Sequence, residues 1–306
     1  MKKLLVVGIG GVGGYYGGKL SKHYEESDEL GIYFLARGEN AETIKKFGLQ
    51  VKDGGDLFLT RPHAVFTSAQ DAGTMDYILI CTKSYHLDAI LPALKHCVSE
   101  QTLILPLLNG VEPAKKIQAF FPTNLVCEGC TYMVSQLTHP GKVDNSGAVQ
   151  QIYYGAKDAS HKSLMEMQKI FDEAKIDAEL RTDIASVVWE KYIFIAAIAT
   201  STSFYNQTIG AVIEDAQKYR SVLSLIAEVT AVANKLKIKL PDDIEQLTAD
   251  KIQKMPYGGT SSMHRDFSKG GATELENLCG YVIREGRKEH VPVPTFEKMY
   301  AALAKQ

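Results

Sequence analysis

Gly8, Gly10 and Gly13, in the stretch VVGIGGVGGYYGG at residues 6–18, fit the spacing G-x-G-x-x-G directly after an apolar run and at the start of a helical pattern. A dinucleotide site needs that placement, because it requires a tight turn, close approach of backbone to a pyrophosphate, and close packing of helix on strand. The free N–H groups and the dipole at a helix start then favour the anion. The backbone of Gly8, Ile9, Gly10, Gly11, Val12 and Gly13 is therefore the candidate cofactor cradle. Further glycines at 11, 14, 17 and 18 are expected to keep the helix slim against its sheet. The next strand decides which dinucleotide is held. An acid at its end suits ribose hydroxyls, whereas YFLARGEN ends on Ala36-Arg37-Gly38, and an arginine suits a 2′-phosphate. NADP(H) is the expected cofactor, with Arg37 on its phosphate.

These residues need elements to hold them. The first half of the chain alternates short apolar runs (KLLVVG, GIYFLA, HAVF, DYILIC, TLILPLLN, NLVCEGCTYMV) with amphipathic stretches, which predicts a parallel sheet with crossover helices. Runs apolar at every position, such as YILIC, suit strands buried on both faces. KVD and VQQIYYG, between 141 and 155, read as strands of an antiparallel extension, followed by a helix over SLMEMQKIFDEA. From about Asp183, which can cap a helix beginning IASVVWEKYIFIAAIATSTSF, the pattern turns helical to the end. The expected class is α/β: an N-terminal doubly wound dinucleotide-binding domain over residues 1–180 and a C-terminal all-α domain over 181–306.

Composition narrows the partners. With 34 basic and 36 acidic residues the formal charge is −2, and no long run of either sign occurs, so neither nucleic acid nor an anionic membrane is an expected partner. Five cysteines are an odd number for a disulfide framework and suit a reducing compartment. Cys127 and Cys130 form one C-x-x-C, without a second pair, in a stretch that reads as strand, so buried thiols are expected rather than a metal or redox centre. The N-terminus has no leader pattern, and the cytoplasm is the expected location.

Further stretches fall in order along the chain: ICTKSYH with Lys83, LLNGVE with Asn109-Gly110, VWEKYIF with Lys191, and SSMHRDFSKGGATELENLCGYVI with Ser262 and Glu274. Together with the glycines and Arg37, this pattern resembles the ketopantoate reductase (2-dehydropantoate 2-reductase) family over nearly the whole chain. The resemblance implies a Rossmann domain followed by a helical domain, an active site in the cleft between them, and NADPH-dependent reduction of a 2-oxo acid, ketopantoate, on the route to pantothenate. It also implies roles. Lys191 would be the general acid; Asn109 and Lys83 would touch cofactor and substrate; Ser262 would hold the substrate; Glu274 would orient cofactor and lysine.

The residues support these roles on their own terms. Hydride arriving at a ketone carbon leaves negative charge on oxygen, so a donor must stand within hydrogen-bond reach to stabilise and protonate it. Lys191 lies in a helix apolar nearly all round, with no charged residue after it until Glu214. Asn109 and Lys83 each follow a buried strand, at the edge where ligands of doubly wound sheets gather. Ser261 or Ser262 can cap a short helix after Gly258-Gly259 and offer its start to a carboxylate.

The pattern breaks beyond the lysine. The family's substrate-gripping asparagines, one and two turns on, fall at Ile195 and Ala199, and a third falls near Ile209. The first clearly polar residue on that face is Thr202, about 16 Å along the axis. Ser201, Ser203 or Asn206 would have to substitute, or the substrate is a less polar 2-oxo acid. A non-catalytic redox sensor, its helical domain serving a second copy of the chain or another partner, is the competing class, and the Lys191 and Glu274 pair argues against it. No metal is expected, and hydride transfer of this kind needs none.

Overall fold

The computed structural model describes residues 1–156 and 161–305. These fall into two compact units: residues 1–108 with 113–156 and 161–184, and residues 109–112 with 185–305.

The first unit contains strands β1 (Lys2–Val7), β2 (Leu30–Leu35), β3 (Leu49–Asp53), β4 (Asp56–Thr60), β5 (Ala64–Phe66), β6 (Met75–Ile80), β7 (Val98–Pro106), β8 (Leu125–Val126), β9 (Glu128–Tyr132), β10 (Ser135–His139), β11 (Lys142–Asn145), β12 (Gln151–Gly155) and β13 (Asp177–Leu180). Its helices are α1 (Gly11–His23), α2 (Gly38–Phe47), α3 (Leu87–Leu94), α4 (Pro113–Phe120) and α5 (Lys162–Glu173). Six strands form a parallel sheet in the order β5-β2-β1-β6-β7-β8, the doubly wound arrangement expected of the apolar runs. Alternation along β1 sends Leu4 and Val6 into a core shared with α1 and α5, and Leu5 and Val7 into a second core under α3 and α4. Both faces are thus covered, as a parallel sheet requires.

Two expectations need correction. NLVCEGCTYMV is not one strand: it divides at Cys127, so that β8 completes the parallel sheet while β9 pairs antiparallel with β12. Nor do KVD and QIYYG share one antiparallel extension. β11 runs antiparallel to β10 and parallel to β3, and β12 lies between β9 and β13 in a separate three-stranded sheet. The four-stranded sheet β10-β11-β3-β4 packs on the other side of α1, which explains the surplus glycines. A Cβ on Gly17 would stand 3.0 Å from Phe34 of the parallel sheet, whereas one on Gly14 or Gly18 would meet Val143 at 2.5 Å or Val51 at 2.6 Å in the other. The helix is wedged between two sheets, and glycine is what fits on both sides.

The second unit holds α6 (Ile184–Tyr205), α7 (Ile209–Glu214), α8 (Ala216–Lys235), α9 (Ile244–Gln253), α10 (Ser262–Ser268), α11 (Tyr281–Lys288) and α12 (Pro294–Leu303), with one π-helical turn at Glu276–Gly280 before α11. α6 starts right after Asp183, whose carboxylate is gripped by the Arg181 guanidinium at 2.7 and 2.8 Å. Among the described residues α6 is the helix long and apolar enough to cross a membrane, yet 67% of its most apolar stretch is buried in protein. A central core helix needs that composition: Ile193, Ala196, Ala197, Thr200 and Ser201 are fully covered.

Candidate functional site

In the first unit, the carboxyl ends of β1, β2 and β6 stand in register, with the Gly8 amide donating to the Leu35 carbonyl at 3.0 Å and the Cys81 amide to Val7 at 2.8 Å. The chain turns at Gly8 with φ +89, and a Cβ there would lie 2.8 Å from the Thr82 methyl. Gly10 caps α1 without a side-chain partner, so the N–H groups of Gly11, Val12 and Gly13 face out of the helix start. A Cβ on Gly13 would stand 2.9 Å from Cys81 Cβ and closer still to the Gly8 carbonyl oxygen, whereas one on Gly10 meets, among the described residues and apart from its chain neighbours, nothing within 4 Å. The turn, the tight contact and the open approach fall on the three glycines in the order a dinucleotide cradle needs.

Two residues the sequence reading passed over also bear on this loop. Asn40, in the first turn of α2, donates to the Ile9 carbonyl at 2.9 Å and accepts from the Gly141 amide at 2.7 Å. Thr82 sits against Gly8 with its hydroxyl buried and, among the described residues, without a hydrogen-bond partner. A buried orphan hydroxyl beside the cradle fits a ligand that supplies the missing partner. Arg37 is exposed at the N-cap of α2, directly beyond β2, and Lys83 is half-buried one residue after Thr82.

In the second unit, Lys191, Asn109 and Glu274 come together. The Lys191 ammonium, 7% exposed, donates to Asn109 Oδ1 at 3.1 Å, and Asn109 Nδ2 donates to Glu274 Oε2 at 3.5 Å. Glu274 is 2% exposed. An ammonium only donates and a carboxylate only accepts, so their positions fix which way the Asn109 amide faces. Buried charges persist when hydrogen-bonded in this way. The Lys191 nitrogen is therefore directed into the protein and not into bulk solvent.

The helix-cap alternative resolves to Ser261, whose Oγ accepts from the His264 amide at 3.0 Å; Ser262 is the first residue of α10, half-buried. Ser261 Oγ also lies 3.1 Å from Thr202 Oγ1. Of the residues offered as substitutes for the missing asparagines, Ser201 donates back to the Ala197 carbonyl at 2.7 Å, and Asn206 Oδ1 lies 2.9 Å from His264 Nε2. Ser203 is 3% exposed and its hydroxyl has no hydrogen-bond partner among the described residues. Ile195 is half-buried, Ala199 buried, and Ile209 fully buried at the start of α7.

All five cysteines are free thiols. Burial raises the pKa of Cys81 and Cys279 to about 12 and that of Cys97 to about 11, and pushes Cys127 well above the usual thiol range. Cys127 and Cys130 are both buried. Thiols so shifted are unreactive at neutral pH.

Residues 4–159 match the family model "Ketopantoate reductase PanE/ApbA", and residues 183–306 match "Ketopantoate reductase PanE/ApbA C terminal". The chain is 28% identical over 302 residues to the uncharacterized oxidoreductase YkpB of Bacillus subtilis, covering 98% of this chain and 97% of that protein. It is 25% identical over 303 residues to a 2-dehydropantoate 2-reductase of Halobacterium salinarum, covering 97% and 96%. Among solved structures, a 2-dehydropantoate 2-reductase from Porphyromonas gingivalis W83 superposes with a TM-score of 0.87 at 30% identity, covering 99% of each chain.

Proposed function

Because the chain belongs to the ketopantoate reductase family, a family of NAD(P)-dependent oxidoreductases, we propose that it reduces a 2-oxo acid to the 2-hydroxy acid with NADPH, ketopantoate being the leading substrate, in the cytoplasm and on the route to pantothenate. The observation that carries this reading is the buried Lys191 ammonium held on the Asn109 amide beside Glu274.

Gly8 to Gly13 and Thr82 hold the dinucleotide, and Arg37 takes its 2′-phosphate. When bound, a reduced nicotinamide supplies a hydride, that is, a proton with two electrons. The carbonyl oxygen of the 2-oxo acid then carries the displaced pair, and Lys191 stabilises that charge and delivers a proton to it. Carbon gains the hydride, oxygen gains the proton, and the neutral amine is recharged from water. Asn109 keeps the ammonium aimed, and Glu274 keeps Asn109 from flipping. A positioned general acid contributes roughly 10²–10⁴-fold.

A second reading, a less polar 2-oxo acid as substrate, is favoured by Ile195 and Ala199 on the lysine's helix and by the engagement of Thr202 and Asn206 elsewhere. A substrate hydroxyl left unpaired there costs about 1–3 kcal/mol. Purified protein supplied with NADPH or NADH, ketopantoate, and branched 2-oxo acids lacking its hydroxyl separates the two. The proposal expects turnover with NADPH and the highest kcat/KM for ketopantoate. A preference for the apolar acids selects the second reading, and absence of turnover with every oxo acid removes both.

A further inference from the structure

Between Pro106 at the end of β7 and Pro113 at the start of α4, the residues Asn109–Glu112 group with the helical unit. The π-helical turn and α11, which follows it, grip this segment at its two ends. At one end Asn277 Nδ2 donates to the Asn109 carbonyl at 2.6 Å, and Asn277 is 6% exposed. At the other, Arg284 Nη2 donates to both carboxylate oxygens of Glu112 at 3.1 Å, while its Nη1 donates to Glu276, the first residue of the turn, at 2.8 Å.

The fit at Asn277 is close. A Cβ on Gly110 would stand 2.5 Å from Asn277 Nδ2 and 2.6 Å from its Oδ1, and Gly110 has φ +97, so glycine is required there on both counts. The turn is itself anchored from α6. The hydroxyl of Tyr192, the residue after Lys191, donates to the carbonyls of Asn277 and Leu278 at 3.2 and 3.1 Å. The tyrosine hydroxyl thus ties two carbonyls of the π turn to α6. Asn277 therefore ties the backbone of Asn109 to the same helix whose lysine the Asn109 side chain holds.

We infer that Asn277 is a positioning residue of the reductase site: by clamping the Asn109 backbone it sets where the amide meets Lys191 and Glu274, and so where the ammonium points. The inference rests on the reductase reading for its kinetic consequence but not for its geometry. Displacement of a reacting group by about 1 Å costs up to roughly 100-fold in rate, which sets the scale of the expected effect.

The test uses the full chain with Asn277→Ala and with Asn277→Asp, which keeps the size and one oxygen but loses the N–H. Arg287→Ala, in an exposed pair with Glu297, serves as control. Two quantities are read: kcat against NADPH dissociation constant, and the rate at which trinitrobenzenesulfonate labels Lys191, followed by peptide mass spectrometry. The inference expects kcat to fall about 10–100-fold with NADPH affinity kept, and Lys191 to label several times faster in both Asn277 variants but not in the control. Should Asn277→Ala fail to fold, Asn277→Asp carries the comparison. Lowered melting temperature with unchanged kcat per folded molecule and unchanged labelling overturns it. If the unaltered protein reduces no oxo acid, the function proposal fails and labelling alone decides for or against the clamp.

Discussion

Gly10 and Gly13 lie three residues apart in one loop, yet the same added methyl has opposite consequences at the two. At Gly13 it would stand 2.9 Å from Cys81 Cβ and closer still to the Gly8 carbonyl, so α1 must move away from β1. Overpacking of this sort costs about 1–3 kcal/mol, which for a unit of this size lowers the melting temperature by roughly 2–12 °C. At Gly10 the methyl meets, among the described residues and apart from its chain neighbours, no protein atom within 4 Å. The fold then loses only the difference between glycine and alanine at a helix N-cap, under about 1 kcal/mol. On the proposed function the pyrophosphate approaches on this open side, and a clash of about 1–3 kcal/mol there should weaken binding roughly 5- to 150-fold. Thermal melting without ligand and fluorescence titration with NADPH read the two effects separately. Gly13→Ala should melt lower, and Gly10→Ala should melt near the unaltered protein but bind NADPH weakly. Unchanged NADPH affinity in Gly10→Ala, or an equal loss of melting temperature in both variants, refutes the assignment of open and closed sides.

Arg37→Ala should reduce the preference for NADPH over NADH by about 10- to 100-fold, the worth of a charge-assisted pair; equal ratios for variant and parent would remove Arg37 from the phosphate site. His264 is held below its ordinary pKa by burial and then by the neighbouring Arg265, and it spans Thr260 and Asn206 through its two ring nitrogens. Because the folded value is depressed, the stability this neutral ring contributes is present above about pH 6.5 and is lost as pH falls through the folded value. Melting at pH 7.5 and pH 5.5 should show a larger drop for the parent than for His264→Gln, and equal drops would contradict it.

The parallel sheet was readable because its strands are buried on both faces and leave uninterrupted apolar runs, and the glycine cradle because its spacing follows a strand. The four-stranded sheet was not. Its strands carry mixed polarity, and β11 pairs with β3, Lys142 opposite Gln50, although β5 to β8 of the parallel sheet intervene in the sequence, a partnership no local pattern records. Consequently the sequence offered one reason, a slim helix against its sheet, for Gly14, Gly17 and Gly18 alike; the parallel sheet accounts for Gly17, whereas Gly14 and Gly18 face Val143 and Val51 of the other sheet. The site divides similarly. Lys191, Asn109 and Glu274 were found through family likeness, since they lie 82 and 165 residues apart. Asn40, Thr82 and Asn277 were missed, because an asparagine at a helix start or a threonine at a strand end is ordinary until its partner is seen. Asp183 looked like a helix cap, yet Arg181 two residues before it takes its carboxylate.

Lys191→Met keeps an apolar stem that ends at Cε and removes the donor nitrogen. Under saturating NADPH, with loss of nicotinamide absorbance followed on addition of ketopantoate or the preferred oxo acid, kcat/KM should fall by about 10²–10⁴-fold while NADPH binds as before. Equal rates of oxidation by variant and parent would contradict Lys191 as the group that meets the forming alkoxide.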